Sequence, residues 1–174
     1  MFLVKFFQPQ TRRKAPWHLP RSVPRASWAD EMTTALVIGG TGPTGPGIVG
    51  GLIARGYRVD VLHRGVHEVP LPEEVGHIHA DPHFDTMVEA LAGRTYEVVV
   101  ATYGRARLLP KALRGVTERL ISIGGATYAH RDAASATEES ERVTTTSLFA
   151  KVLETENELF LAHERGDFAL THLR

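Results

Sequence analysis

From Met32 onward, short apolar runs alternate with stretches whose apolar residues fall at helical spacing. Ala35–Gly39 is a brief apolar run ending in glycine, the mark of a buried strand. Between Thr44 and Arg55, residues Ile48, Val49, Leu52 and Ile53 form one helical stripe, and Gly56 follows as a C-terminal cap. Pro46 falls in the first turn of that helix, where a missing N–H matters least. Arg58–Leu62 predicts a second strand and Val75–His79 a weaker third. Phe84–Leu91 predicts a helix ended by Gly93. Glu97–Ala101 contains Val98-Val99-Val100, a run suited to a strand buried on both faces. Arg107–Leu113 predicts a short helix, and Arg119–Ile123 a fifth strand. Residues 124–146 are polar and aperiodic and predict a long loop, a type that often carries function. Leu148–Arg165 predicts a long helix closed by Gly166, and Phe168–Leu173 a sixth strand.

Strands alternating with helices predict an α/β protein with a parallel sheet and helices on both faces. Right-handed crossovers leave few topologies, of which the leading one is the doubly wound order 3-2-1-4-5-6. No repeat of fixed period interrupts this scheme.

Composition narrows the function classes. The chain has 174 residues, 43% hydrophobic and 23% charged, which is ordinary globular usage. Lys+Arg and Asp+Glu are both 20, so nothing in the balance points to nucleic acid or an acidic membrane surface. The absence of Cys removes disulfides, thiolate metal sites and a Cys nucleophile, and is compatible with a cytoplasmic location. No apolar run is long enough to span a membrane. Residues 1–31 stand apart, with Lys5, Arg12, Arg13, Lys14, Arg21 and Arg25 against Asp30 and Glu31, and with Pro9, Pro16, Pro20 and Pro24. This segment reads as an irregular basic arm. Thr11-Arg12-Arg13-Lys14 is not followed by the apolar stretch a twin-arginine signal needs. Residues 32–174 form the domain, and Met32 is a candidate for the natural start.

The strongest chemical signal is Gly39-Gly40-Thr41-Gly42-Pro43-Thr44-Gly45-Pro46-Gly47. It fits G-x-G-x-x-G as Gly40, Gly42, Gly45 and equally G-x-x-G-x-x-G as Gly39, Gly42, Gly45. It follows a strand and opens a helix, the context such a motif requires. Glycines permit a tight turn and let the backbone approach a pyrophosphate, and the helix N-terminus adds free N–H groups. A P-loop is excluded, because Pro46-Gly47 stands where Lys-Ser/Thr would follow the last glycine. A dinucleotide site also needs a group for the adenosine ribose at the end of the second strand, an acid for NAD or a nearby Arg for the 2′-phosphate of NADP. That strand ends in His63-Arg64, and Asp60 lies inside it, so Arg64 favours NADP, with NAD the alternative. Asp81 can approach the adenine edge or cap the turn before Pro82. The candidate cofactor contacts are Gly39, Thr41, Gly42, Thr44, Gly45, His63, Arg64 and Asp81, with Ala101 and Thr102 at the end of the fourth strand.

Together with Leu62-His63-Arg64-Gly65, Asp81, Ile121-Ser122-Ile123-Gly124-Gly125-Ala126-Thr127-Tyr128, Thr137-Glu138-Glu139 and Lys151, the glycine turn resembles the NAD-dependent epimerase/dehydratase group of the extended short-chain dehydrogenase/reductase superfamily. The resemblance runs from Met32 to Arg174. It implies a Rossmann-like cofactor domain, with the segments that build most of the substrate pocket lying beyond the present chain. It also implies a Ser/Thr after the fifth strand and a Tyr-x-x-x-Lys pair, one helical turn apart, whose phenol moves the proton. Lys151 matches the Lys, but Ser147 stands where the Tyr would be, and the fifth-strand serine falls on Gly125. A serine hydroxyl cannot replace a phenol of pKa about 10 without a separate base. The candidate catalytic residues are Lys151, Thr127 and Ser147, with Tyr128 and Tyr103 as stand-ins for the missing acid.

His63, His67, His77, His79 and His83 crowd one stretch, with Asp81 and Asp85 nearby, yet no metal-ligand spacing is present and no metal site is predicted. Three readings follow: the cofactor domain of an epimerase/dehydratase-like oxidoreductase, a catalytically silent NADP(H)-binding sensor, or a fragment without function of its own. The ligands implied are a dinucleotide and a small-molecule substrate, and the exposed end of the sheet suits a homodimer.

Overall fold

The first strand, β1 (Thr34–Ile38), sends Leu36 and Ile38 to one side of the sheet and Ala35 and Val37 to the other, and all four are fully buried. This is the two-residue alternation of a strand covered on both faces. The computed structural model describes residues 33–66, 69–102, 107–124, 140 and 147–173, and for residues 147–149 the backbone alone. The remaining strands are β2 (Arg58–His63), β3 (Gly76–His79), β4 (Val98–Ala101), β5 (Arg119–Ile123) and β6 (Ala169–Leu173). The helices are α1 (Gly45–Ile53), α2 (Thr86–Leu91), α3 (Leu109–Leu113) and α4 (Ser147–Glu164). All strand pairs are parallel and the order is β3-β2-β1-β4-β5-β6, the doubly wound topology predicted from the alternation.

The two faces are covered differently. Met87 and Leu91 of α2, Leu109 and Leu113 of α3, and Leu159 and Ala162 of α4 pack on one face with Leu36, Ile38, Leu62, Val99 and Leu120. On the other face α1 is the one helix among the described residues, and it buries Val49 against Ala35, Val37, Val59 and Val61. The β2–β3 connection adds no helix among the described residues, and Pro70 and Pro72 disfavour one. The helices α2 and α3 each start two residues later than their apolar spacing predicts. The chain before α2 is held in turns by Asp81, whose Oδ1 accepts the N–H of His83 (2.9 Å), so the helix starts at Thr86 rather than Phe84. α3 starts at Leu109, with Pro110 in its first turn, rather than at Arg107.

At the N-terminal edge of the sheet, the Tyr96 hydroxyl donates to Asp60 Oδ2 (2.6 Å), and Arg94 lies 3.9 Å from the same oxygen. Burial, then the Asp60 carboxylate, pushes the Tyr96 phenol up to about 12. Asp60 is thus committed to the base of the fold, far along β2 from the end where a ribose would lie.

Candidate functional site

The chain runs outward from β1 to β3, then returns to β4 on the other side of β1. Ligands bind at such a reversal, beyond the C-terminal ends of the strands. The glycine turn sits there, and its glycines have separate tasks. Gly39 has φ 87°, a left-handed conformation that other residues rarely adopt. A Cβ on Gly40 would stand 2.7 Å from Val61 Cγ1 on β2, so this position is closed by packing. A Cβ on Gly45 would collide with the backbone of Gly40, which lets α1 start directly against the turn. Gly42 differs, because the nearest atom to its Cβ position would be Gly39 O at 3.3 Å. The two glycine patterns left open by spacing are therefore both used: Gly39, Gly40 and Gly45 shape the turn, and Gly42 keeps its outer surface bare.

Backbone donors in the turn are selectively engaged. Gly42 N–H donates to Gly39 O and Gly45 N–H to Gly42 O, both at 3.0 Å. Pro43 and Pro46 have no N–H. Thr44 is the N-cap of α1, and its side chain makes no capping hydrogen bond. The N–H groups of Thr41 and Thr44 have no backbone partner among the described residues. With the N-terminus of the nine-residue α1 behind them, they give the turn a positive rim. Thr102 locks this rim to β4: its N–H and its Oγ1 both donate to Ile38 O at 3.0 Å. Ala101, the last residue of β4, is fully buried beneath it.

At the β2 end, Arg64 is exposed, and its Nη1 lies 4.0 Å from Asp81 Oδ2. Asp81 therefore lies beside Arg64 at this strand end and also caps its own turn through His83. His63, grouped above with the candidate cofactor contacts, lies beside Arg64 at the end of β2. It is only 4% accessible, and both ring nitrogens are engaged, Nδ1 by the Gly65 N–H (3.1 Å) and Nε2 by His77 Nδ1 (2.8 Å). His79 packs edge-on against the same ring, with centroids 4.7 Å apart. No group of three or more His, Cys, Asp or Glu could hold a metal ion among the described residues.

The β5–β6 end carries groups that spacing does not single out. His172 Nε2 and Glu156 Oε1 are 2.7 Å apart, with side-chain accessibilities of 4% and 3%. Gly124 lies over this pair, and a Cβ there would stand 2.7 Å from the imidazole. His172 Nδ1 is buried without a hydrogen-bond partner among the described residues. Lys151 is exposed on α4 and lines a cleft of about 740 Å³ with His83, Arg107, Leu108, Glu154 and Glu158. Ser147 opens α4 four residues before it. Tyr103, Gly125, Thr127, Tyr128, His67 and the arm of residues 1–31 lie outside the described residues. No helix among the described residues is long and apolar enough to cross a membrane.

No family profile matches the chain, and no curated protein matches it. Solved structures do. UDP-glucose 4-epimerase from Thermus thermophilus, solved in complex with NAD, superposes with a TM-score of 0.67 at 23% identity over 82% of this chain and 54% of that one. A UDP-galactose 4-epimerase gives 0.68 at 16% identity, covering 82% and 55%. Vestitone reductase from alfalfa (Medicago sativa L.) gives 0.61 at 18% identity, covering 80% and 55%. The chain spans about half the length of these structures. At such identities the likeness establishes the fold, a six-stranded parallel Rossmann-type sheet with its glycine turn at the topological switch point.

Proposed function

We propose that residues 32–174 are the dinucleotide-binding domain of an epimerase/dehydratase-like oxidoreductase, with NADP preferred over NAD. The observation that carries the reading is the glycine turn at the β1–β4 reversal. Its outer surface at Gly42 has no side chain, and Thr41 and Thr44 hold N–H groups without backbone partners among the described residues. These residues suit a pyrophosphate, which needs close backbone approach and donors rather than side-chain cations. The NAD bound by the Thermus thermophilus epimerase, a protein of the same fold, supports the class of ligand. When bound, a nicotinamide ring would supply hydride acceptance or donation.

The chain's own residues divide the binding task. Gly42, Thr41 and Thr44 hold the pyrophosphate. Arg64 takes the adenosine 2′-phosphate, a role suited to the fork of a guanidinium. Asp81 steadies Arg64 and borders the adenine. Lys151 orients the nicotinamide ribose. Calorimetric titration of the full chain with NADPH and NADH tests this assignment. Tight binding that favours NADPH is expected, and Arg64→Asp should weaken NADPH by at least about tenfold while changing NADH little. Equal losses for both nucleotides would remove the 2′-phosphate role.

A second reading is a catalytically silent NADP(H)-binding module. It is favoured by Ser147, which stands where the Tyr-x-x-x-Lys pattern has its phenol. Nucleotide binding without hydride transfer to any carbonyl or sugar-nucleotide acceptor would select it.

A further inference from the structure

We propose that His63, held in one tautomer by His77, is a positioning residue that presents Arg64 to the 2′-phosphate; the role rests on the dinucleotide reading above. Residues 59, 61 and 63 of β2 alternate onto the face of the sheet that α1 covers. The β3 partners of Val61 and His63 are His77 and His79, which point the same way by the same alternation. The β2–β3 connection brings no helix to that face among the described residues, so its upper end is lined by imidazoles instead of apolar side chains.

The hydrogen bonds have a direction. Gly65 N–H donates to His63 Nδ1, so that nitrogen is an acceptor and the ring proton sits on Nε2. Nε2–H then donates to His77 Nδ1, whose own proton is left on the exposed Nε2. The chain of donors runs one way, from the Gly65 amide through His63 to His77. Arg64 lies between the two residues joined by the first bond. Ala80 N–H donates to His63 O (3.0 Å), which fixes the strand end, and Gly65 turns with φ 73°. The bond to His63 Nδ1 therefore closes a small loop around Arg64, and the guanidinium leaves it toward Asp81. Proton transfer to Nδ1 would set two donors against each other and open this loop. Among the described residues, the titratable groups around the ring are His77 and His79 on β3, Arg64 beside it and Asp81 behind Arg64.

The test compares wild type, His63→Leu, His63→Asn and His77→Ala, each as the full chain, in NADPH and NADH titrations at neutral pH. The Asn oxygen takes the place of Nδ1 as acceptor, so His63→Asn should keep the wild-type preference for NADPH. His63→Leu should reduce that preference by about tenfold, the loss of one charge-assisted contact, with NADH affinity retained. His77→Ala, at an exposed position, should reduce it partway and serves if His63→Leu does not fold. An unchanged preference in both His63→Leu and His77→Ala, or His63→Asn behaving like His63→Leu, overturns the proposal. The ¹⁵N shifts of the His63 ring separate its failure from that of the dinucleotide reading. A protonated Nδ1 at neutral pH overturns the relay even if NADPH binds. A wild type that binds neither nucleotide overturns the reading and the role of Arg64, whatever the tautomer.

Discussion

The ends of β1 and of β5 lie on the same rim of one sheet, and they are built by opposite means. The β1 end is made of backbone. Gly39, Gly40 and Gly45 fix its path by what they lack, and hydrogen bonds among near neighbours close it. The β5 end is made of side chains from far apart: His172 from β6 and Glu156 from α4, packed under Gly124. A turn of the first kind tolerates no added atoms but makes few demands on the rest of the chain. An assembly of the second kind depends on every element around it being in place, because a buried polar group left alone is costly.

The largest expected effect falls on the side-chain assembly. Glu156→Ala should destabilise the fold by about 3–5 kcal/mol, since it leaves His172 buried without its carboxylate. Replacing both residues, Glu156→Met with His172→Leu, should recover much of that loss in urea unfolding. A double variant as unstable as the sum of the single ones would show that the two do not act as a pair. The glycine turn should split next. Gly45→Ala pushes a methyl into the Gly40 backbone and should lower stability by about 1–3 kcal/mol. Gly42→Val brings a Cβ within 3.3 Å of Gly39 O, a tighter fit than an ordinary contact but far milder than the clash at Gly45, so it should lower stability by about 1–2 kcal/mol while abolishing nucleotide binding. Loss of fold in Gly42→Val, or survival of binding, would erase the distinction between shaping and contacting glycines.

The smallest effect concerns neither end but the base of the sheet. Tyr96→Phe removes a hydrogen bond to a carboxylate and should cost about 1.5 kcal/mol. The phenol is raised from 10.0 to about 12 in the folded protein. Its contribution should therefore be complete below pH 10 and disappear as the pH rises through about 12. Thermal melts of wild type and Tyr96→Phe should differ at pH 8 and converge across that interval.

The same contrast explains which features are legible in the sequence. Val98-Val99-Val100 and Ala35–Ile38 announce strands buried on both faces because burial acts on consecutive residues. The glycine turn is legible because its geometry is local. The position of Asp60 inside β2 already argues against a ribose partner, and its bond to Tyr96 agrees with that. The pair of Glu156 and His172 is not legible. One lies in a charged stretch of α4 and the other in a short edge strand, and only the packing of α4 on β5 and β6 joins them. A buried glutamate among Glu154 and Glu158 leaves a weak trace, a position on the same helical stripe as Val152 and Leu159. His63 shows a subtler limit. Its place at the end of β2 is plain from sequence, but the direction of its ring depends on β3, whose residues His77 and His79 become its neighbours only in the sheet.

The prolines of the glycine turn carry one more consequence. Pro43 and Pro46 alternate with Gly42, Gly45 and Gly47, so stiff positions sit between pliant ones. Each proline narrows the ensemble of the unfolded chain and holds its own φ in the folded one. A loop made of glycine alone would have to surrender that freedom on meeting a ligand. This one has largely given it up on folding, so a phosphate group would meet a rim already in shape, and little of its affinity would be lost to ordering the protein.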